Sequence, residues 1–312
     1  MGRTHKMTKL LKRRDPDSVA FKVDTQTRIW NGAKTTVLFL VLALIGIILI
    51  LPNIFMLNKS LMTSTMVIDP TVHFFPDWGN LQWGNYVKLF TQDHDGWNYG
   101  TALLNTLMII LFNIVAIPIS ASMAAFAFSK LHWKGKKYVF AAMMMTIMLP
   151  GIVTQIPLYV IYSKIHWLDT ILPFTIPNLF GGGAMYIFLL RQYMMGIPND
   201  LMDAAKVDGC SMFRIYWQII LPNCKTILIY IMFTVFCSYW GDYYGPLVYS
   251  SNLKFVTFAY ALFVSSTEGD AAASLANIRM CGGVFMTLVP TILFTCFQNV
   301  LTEGALTSGL KG

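Results

Sequence analysis

The residues from Asn199 to Pro222, NDLMDAAKVDGCSMFRIYWQIILP, form a polar insert between two long apolar runs, and their order predicts a docking device. Asn199 and Asp200 are N-cap types, and Asp203 stands where its carboxylate can reach back to the first turn, as in a capping box. Ala204 and Ala205 favour helix and pack closely, and Gly209 suits a left-handed stop. Ser211 can cap a second helix, in which Phe213, Ile215, Trp217, Ile219 and Ile220 leave a broad apolar surface before Pro222 ends it. An insert this polar does not suit lipid. It suits a soluble partner, so its expected chemistry is force transmission rather than bond-making.

Bond-making chemistry has little support elsewhere. Gly135-Lys136 is not a phosphate loop, because Lys130 stands where the first glycine would be and Lys137 replaces the Ser or Thr. No ATP site is therefore expected in the chain itself. Cys210, Cys224, Cys237, Cys281 and Cys296 form no C-x-x-C pair, and the five histidines are scattered, which predicts neither a disulfide framework nor a metal site. The apolar runs hold no G-x-S-x-G, H-E-x-x-H or paired acids, so an integral-membrane enzyme is the weakest reading. Asp242 is the one acid inside an apolar run, flanked by Trp240, Tyr243 and Tyr244. An ionisable group at membrane depth usually faces a cavity or a partner, and aromatic faces beside polar groups suit sugars. With Asn113, Gln155 and Asn178, residues Trp240, Asp242 and Tyr243 are candidates for a substrate path. For each, interhelical hydrogen bonding or a helix-end role is the competing reading.

The elements that would position these residues are membrane helices. The 312 residues are 55% apolar and 12% charged, and a helix of about 20 apolar residues crosses a hydrocarbon core. Six runs qualify: 35–56, 101–128, 138–163, 171–190, 226–247 and 274–301. The fold class is all-α integral membrane, with a basic tail (1–34), a six-span domain (35–301) carrying the insert (192–225), and a short tail (302–312). Of 23 Lys and Arg residues, 18 fall on the side of the N-terminus and the insert. That bias places both termini and the insert in the cytoplasm and explains the +8 charge without nucleic acid. Lys12–Arg14 is a solvated tail or a contact for anionic head groups. The first run is too long for a signal-peptide core and is expected to remain as a span. Prolines 118, 150, 157, 173, 177 and 290 and Gly181–Gly183 are expected to kink or interrupt spans. Trp83–Phe90 is expected to be a short surface helix.

DAAKVDG, with Pro222 thirteen positions after Gly209 in the run IILP, resembles the EAA loop of bacterial ABC importer permeases. MLPGIVTQIPLY (148–159), RQYMMGIPNDL (191–201), YWGDYYGPLVY (239–249) and the closing FQNVLTEGALTSGLKG extend the resemblance, narrowing it to carbohydrate permeases of the maltose-permease kind. The resemblance implies a coupling helix that fits a cleft on an ATPase subunit, formed by Asp203, Ala204, Ala205, Asp208 and Gly209, with Met212 and Phe213 as apolar contacts. It also implies a second permease subunit in a heterodimer, two ATPases that bind ATP and Mg, an external solute-binding protein and a carbohydrate, in a bacterial cytoplasmic membrane. Asp203 departs from the family's Glu by one methylene, and Cys210 from its usual Ala. The alternative is an ion-coupled secondary transporter, for which only Asp242 and Arg279 offer coupling groups.

Overall fold

The computed structural model describes the backbone of residues 16–309 apart from 70, 72, 95, 251–252 and 267–274, and side chains between 34 and 300 within that range, His94 aside. Lys12–Arg14 and residues 310–312 lie outside the described residues. The chain begins with α1 (Pro16–Ser60), α2 (Ser64–Ile68), α3 (Gly84–Thr91) and a two-residue antiparallel ribbon, β1 (Asp93–His94) with β2 (Trp97–Asn98). Then come α4 (Tyr99–Ser129), α5 (Lys136–Ile147), α6 (Gly151–Lys164), α7 (Leu172–Thr175), a 3₁₀ turn (Ile176–Phe180) and α8 (Ala184–Met195). The insert holds α9 (Asp200–Val207), α10 (Met212–Ile215), a π turn (Tyr216–Ile220) and α11 (Leu221–Asn223). The remainder is α12 (Lys225–Trp240), α13 (Tyr244–Tyr249), α14 (Phe258–Ser265) and α15 (Ala276–Gly309).

Two compact units divide the chain, 1–55 and 56–312. The first ends in the apolar run of α1, where Val37 to Ile50 expose their side chains, as a helix solvated by lipid should. In the second, α4 packs against both α8 and α12, α12 against α15, and α15 against α3. Asn98 begins α4 with a full capping box: its Oδ1 accepts the Thr101 N–H at 2.8 Å, and Thr101 Oγ1 accepts the Asn98 N–H.

Among the described residues, four helices are long and apolar enough to cross a membrane, or up to six if each bent pair is one span. Two expected spans are not single straight helices. Residues 138–163 divide into α5 and α6, which meet at 97°, because Pro150 has no N–H to donate and disfavours helix at Leu149. Residues 226–247 end as helix at Trp240, and the chain turns at Gly241 before α13. A third expected span, 171–190, corresponds to Leu172–Met195, one of the four, although its helix is locally broken at Gly181–Gly183, all three with positive φ. Conversely, Pro118, Pro157 and Pro290 lie inside unbroken helices and interrupt nothing.

The expected surface helix near Trp83 exists as α3, but Asn85 and Leu89 are buried against the second unit's core. Asn85 Nδ2 donates to the Ser60 and Met62 carbonyls at 2.8 and 3.1 Å. Asn85→Leu should therefore lower stability by about 2 kcal/mol, because two buried carbonyls lose a donor. Thermal unfolding of the purified protein measures this, and an unchanged Tm would show the carbonyls finding other donors.

Candidate functional site

The insert is built as two helices joined by a Schellman turn. Gly209 has φ +78°, its N–H bonds the Lys206 carbonyl at 3.0 Å, and the Cys210 N–H bonds the Ala205 carbonyl at 2.9 Å. That pairing satisfies the last carbonyls of α9. Ser211 then starts α10, its Oγ accepting the Arg214 N–H at 3.3 Å. Both features follow the sequence expectation.

The capping box at the start of α9 does not form. The Asn199 side chain makes no cap bond, because its Oδ1 accepts from Lys130 Nζ at 2.8 Å instead. The Asp203 carboxylate pairs with Lys206 at 2.7 Å, an exposed i,i+3 pair. Exposed pairs of this kind contribute little, typically about 0.3–0.5 kcal/mol on a helix. Pro222 does not end the second helix either. The chain widens into a π turn whose following Leu221 N–H reaches the Tyr216 carbonyl, and α11 carries Pro222 onward. Widening the turn gives room for a ring that would crowd the carbonyl four residues back. The bend falls at Cys224, where 212–223 and α12 meet at 76°.

Residues that sequence reasoning missed hold the insert to the membrane helices. Lys130, which caps the end of α4, donates from Nζ to the Ile197 carbonyl at 2.6 Å as well as to Asn199. Burial pushes its ammonium below the ordinary lysine pKa, yet two oxygen acceptors still satisfy it. The Tyr216 hydroxyl meets Ser122 Oγ at 2.8 Å in a buried contact, and the Tyr216 ring lies against Phe126. Met202, Ala205, Ile215, Ile220 and Cys224 join one apolar cluster with Ala121, Ala125 and Leu190. Burying each large apolar side chain from water stabilises by roughly 1.5–3 kcal/mol, so the insert is fastened rather than hinged loosely. Lys130→Met should cost about 1–3 kcal/mol locally by stripping the Ile197 carbonyl of its charged donor. Hydrogen exchange at residues 197–209 should accelerate while α4 stays protected; equal protection in both proteins would contradict the anchoring role.

Among the charged and polar groups on the outside of the insert stand several large apolar side chains. Val207 is 89% exposed, Phe213 67%, Trp217 48% and Met212 42%. Phe213 and Trp217 stack with ring planes 8° apart and centroids at 6.3 Å. Asp203, Ala204, Asp208 and Gly209 are exposed beside them, so six of the seven expected coupling residues lie on the surface. Ala205 is the exception, only 6% exposed and packed inward. It can seat α9 but cannot touch a partner. Helical spacing from Met202 gives the reason: 202 and 205 share the face turned to the core.

The six path candidates divide. Asn113 and Trp240 are buried and serve packing: Asn113 Nδ2 donates to the Ile109 and Phe174 carbonyls at 2.9 and 2.8 Å, and Trp240 Nε1 to Met286 O at 2.9 Å. Neither offers surface to a substrate, which corrects the expectation for both. Asn178 Nδ2 ties the 3₁₀ turn to the Tyr239 hydroxyl at 2.6 Å. Asp242 Oδ1 accepts the Gly245 N–H at 2.9 Å, a helix-end role at the start of α13. Gln155 Oε1 accepts the Tyr244 hydroxyl at 3.0 Å, and exposed Tyr243 stacks on Phe263. Of the six, Gln155 and Tyr243 meet at an accessible place, joined there by Tyr244. A cavity of about 500 Å³ opens elsewhere, beside the glycine break, lined in part by Thr146, Gly182, Gly183, Tyr186, Tyr230 and Thr234. No sequence signal beyond Gly181–Gly183 pointed to it.

Comparison with known proteins places this geometry. Residues 116–305 match the family described as "Binding-protein-dependent transport system inner membrane component". The arabinooligosaccharides transport system permease protein of Halalkalibacterium halodurans is 26% identical over 86% of this chain and 94% of its own. The galactooligosaccharides transport system permease protein of Bacillus subtilis is 26% identical over 88% and 94%. A crystal structure of a bacterial ABC transporter involved in alginate import aligns with a TM-score of 0.71 at 19% identity, over 88% of this chain and 96% of that one.

Proposed function

The chain belongs to the family of binding-protein-dependent transport system inner membrane components, and on that premise we propose that it is a permease subunit of an oligosaccharide importer driven by partner ATPases. The observation that carries the coupling half is the insert itself. Exposed Val207, Met212, Phe213 and Trp217 sit on a segment bolted to α4 through Lys130 and Tyr216. An apolar, aromatic-rich patch on a rigid mount is what a hot-spot interface needs. ATP-driven closure of two ATPases would push on this patch, and the anchors would pass the displacement to α4 and, through the 76° elbow, to α12. Access then alternates as packed helices change between two discrete arrangements.

Substrate class rests on relatives whose names specify oligosaccharides. The wall of the path is assigned to Gln155, Tyr243 and Tyr244, with the cavity beside Gly182, because aromatic faces next to hydrogen-bonding groups suit sugar rings. Asp242 supports that wall by capping α13. A heterodimeric partner permease, an external solute-binding protein, cytoplasmic termini and a cytoplasmic insert complete the proposal. ATP and Mg would be held by the ATPases alone.

The deciding experiment reconstitutes the transporter with its solute-binding protein and follows uptake of labelled arabino- and galacto-oligosaccharides. Uptake should require ATP inside and the binding protein outside, and should survive an uncoupler. Uptake abolished by the uncoupler while ATP stays high would establish ion coupling instead.

A further inference from the structure

A pocket of about 410 Å³ lies between the loop after α4, the start of α5 and the end of α8, lined chiefly by Trp133, Lys136, Lys137, Tyr138, Phe140 and Arg191. Three cations therefore meet in one concavity. Among the described residues no carboxylate pairs with any of them. Lys136 Nζ is held by the Leu131 carbonyl at 2.9 Å, which points its ammonium into the loop. Arg191 spends only its Nε–H on protein, donating to Phe128 O at 3.3 Å, while its guanidinium carbon lies 4.3 Å over the Phe140 ring. Its terminal nitrogens and the Lys137 ammonium have no protein partner among the described residues. The first turn of α5 is also without a side-chain cap, and while Tyr138 and Val139 donate to the Gly135 carbonyl, the Lys136 and Lys137 N–H groups and the helix dipole add to the same positive field.

The surface that continues from this pocket is greasy. Along α5 and just beyond it, Tyr138, Val139, Met145 and Met148 are at least half exposed. A ligand that fills the pocket and follows this surface must be anionic at one end and apolar along the rest. We propose that the pocket is a binding site for the phosphate head group of an anionic phospholipid, whose acyl chains lie along the exposed face of α5. Phosphate oxygens would accept from Arg191 and Lys137 and from the N–H groups at the start of α5, and Trp133 and Tyr138 would border the head group at the interface. Under the topology proposed above the lipid belongs to the cytoplasmic leaflet. The chemistry of the site depends on the membrane setting alone and not on the transported sugar or the ATPases. A lipid at this position touches both α5 and α8, next to the Lys130 anchor, so it would stiffen the frame on which the insert sits.

The test purifies the full transporter through this chain from nanodiscs of equal phosphatidylglycerol and phosphatidylcholine, and reads retained lipid by native mass spectrometry. Phosphatidylglycerol should be retained in preference to phosphatidylcholine, and Lys137→Gln with Arg191→Gln should retain roughly 30-fold less, two charges each attracting an anionic lipid. Lys137→Arg with Arg191→Lys keeps the charges and should retain it, and Lys134→Gln, outside the pocket, should not change it. Equal retention by the neutralised variant would overturn the proposal, as would equal retention of phosphatidylcholine. Millimolar inorganic phosphate that displaces the lipid completely would show a site for free anion instead. Absence of phosphatidylglycerol from the wild-type complex, with residues 133–138 protected from exchange, would show a partner protein covering the pocket. Oligosaccharide uptake is measured separately, so failure of one reading leaves the other standing.

Discussion

Phe213→Asp combined with Trp217→Asp should release the ATPase subunits from the purified complex and reduce ATP-driven uptake by at least about 30-fold, the effect of removing a hot spot worth about 2 kcal/mol or more. The two rings lie parallel and offset, are about half or more exposed, and meet the fold through the edge of Tyr216, so they contribute little to holding it together. Their neighbour Tyr216 does hold it: it is buried and bonded to Ser122. A carboxylate in place of either exposed ring would be desolvated by a docked partner without an opposite charge to meet it. Membrane insertion and the thermal unfolding of the permease should be unchanged. Size-exclusion chromatography of the assembled transporter, together with uptake, measures the effect. ATPase subunits that stay bound at wild-type stoichiometry, with uptake intact, would mean that this patch is not the coupling surface. Ala205→Asp is a poor substitute test, since a charge there would disrupt packing and lose coupling for an unrelated reason.

Gly182→Ala should destabilise the protein by about 2–5 kcal/mol, from two sources that can be separated. Gly182 has φ +61°, where an L side chain is strained, and an added Cβ would lie 2.6 Å from both Cγ atoms of Ile117. Ile117 is fully buried in α4 and has little room to move. Replacing it by Ala removes the clash and leaves the backbone strain, so Gly182→Ala should cost only about 1 kcal/mol in an Ile117→Ala background. Thermal unfolding of the four proteins gives the coupling energy directly. Strictly additive effects would show that α4 and the glycine break do not touch in solution. Because the break borders the cavity beside Gly183, substrate uptake should fall along with stability.

Some of the insert was legible in advance because its signals are local. Gly209 and Ser211 act within one turn of themselves, and the structure has both where their chemistry predicts. The capping box failed for a non-local reason: Lys130, 69 positions upstream of Asn199, takes the side chain that was to cap. Ala205 failed as a contact residue because helical phase, fixed by packing against α4 and α8, turned it inward. Asn113, Asn178 and Trp240 looked like path residues because polar and aromatic groups in apolar runs are ambiguous by type. The nearest carbonyl or hydroxyl decides their role, and that neighbour lies on another helix. Proline gave the same lesson in reverse. Pro150 breaks its helix and Pro118 does not, although the ring chemistry is identical.

From its residues alone the chain already determined that it is helical, apolar and built for a membrane, that one polar elbow interrupts it, and that no nucleotide loop accompanies that elbow. These follow from composition, periodicity and short motifs, which act over a turn or two. Tertiary structure alone decided which face of the elbow is free, which cation holds it, where the apolar runs bend, and that three cations converge beside Phe140 with no carboxylate paired to them among the described residues. Those outcomes depend on groups far apart in sequence competing for the same donors, acceptors and space, and only the packed helices settle that competition.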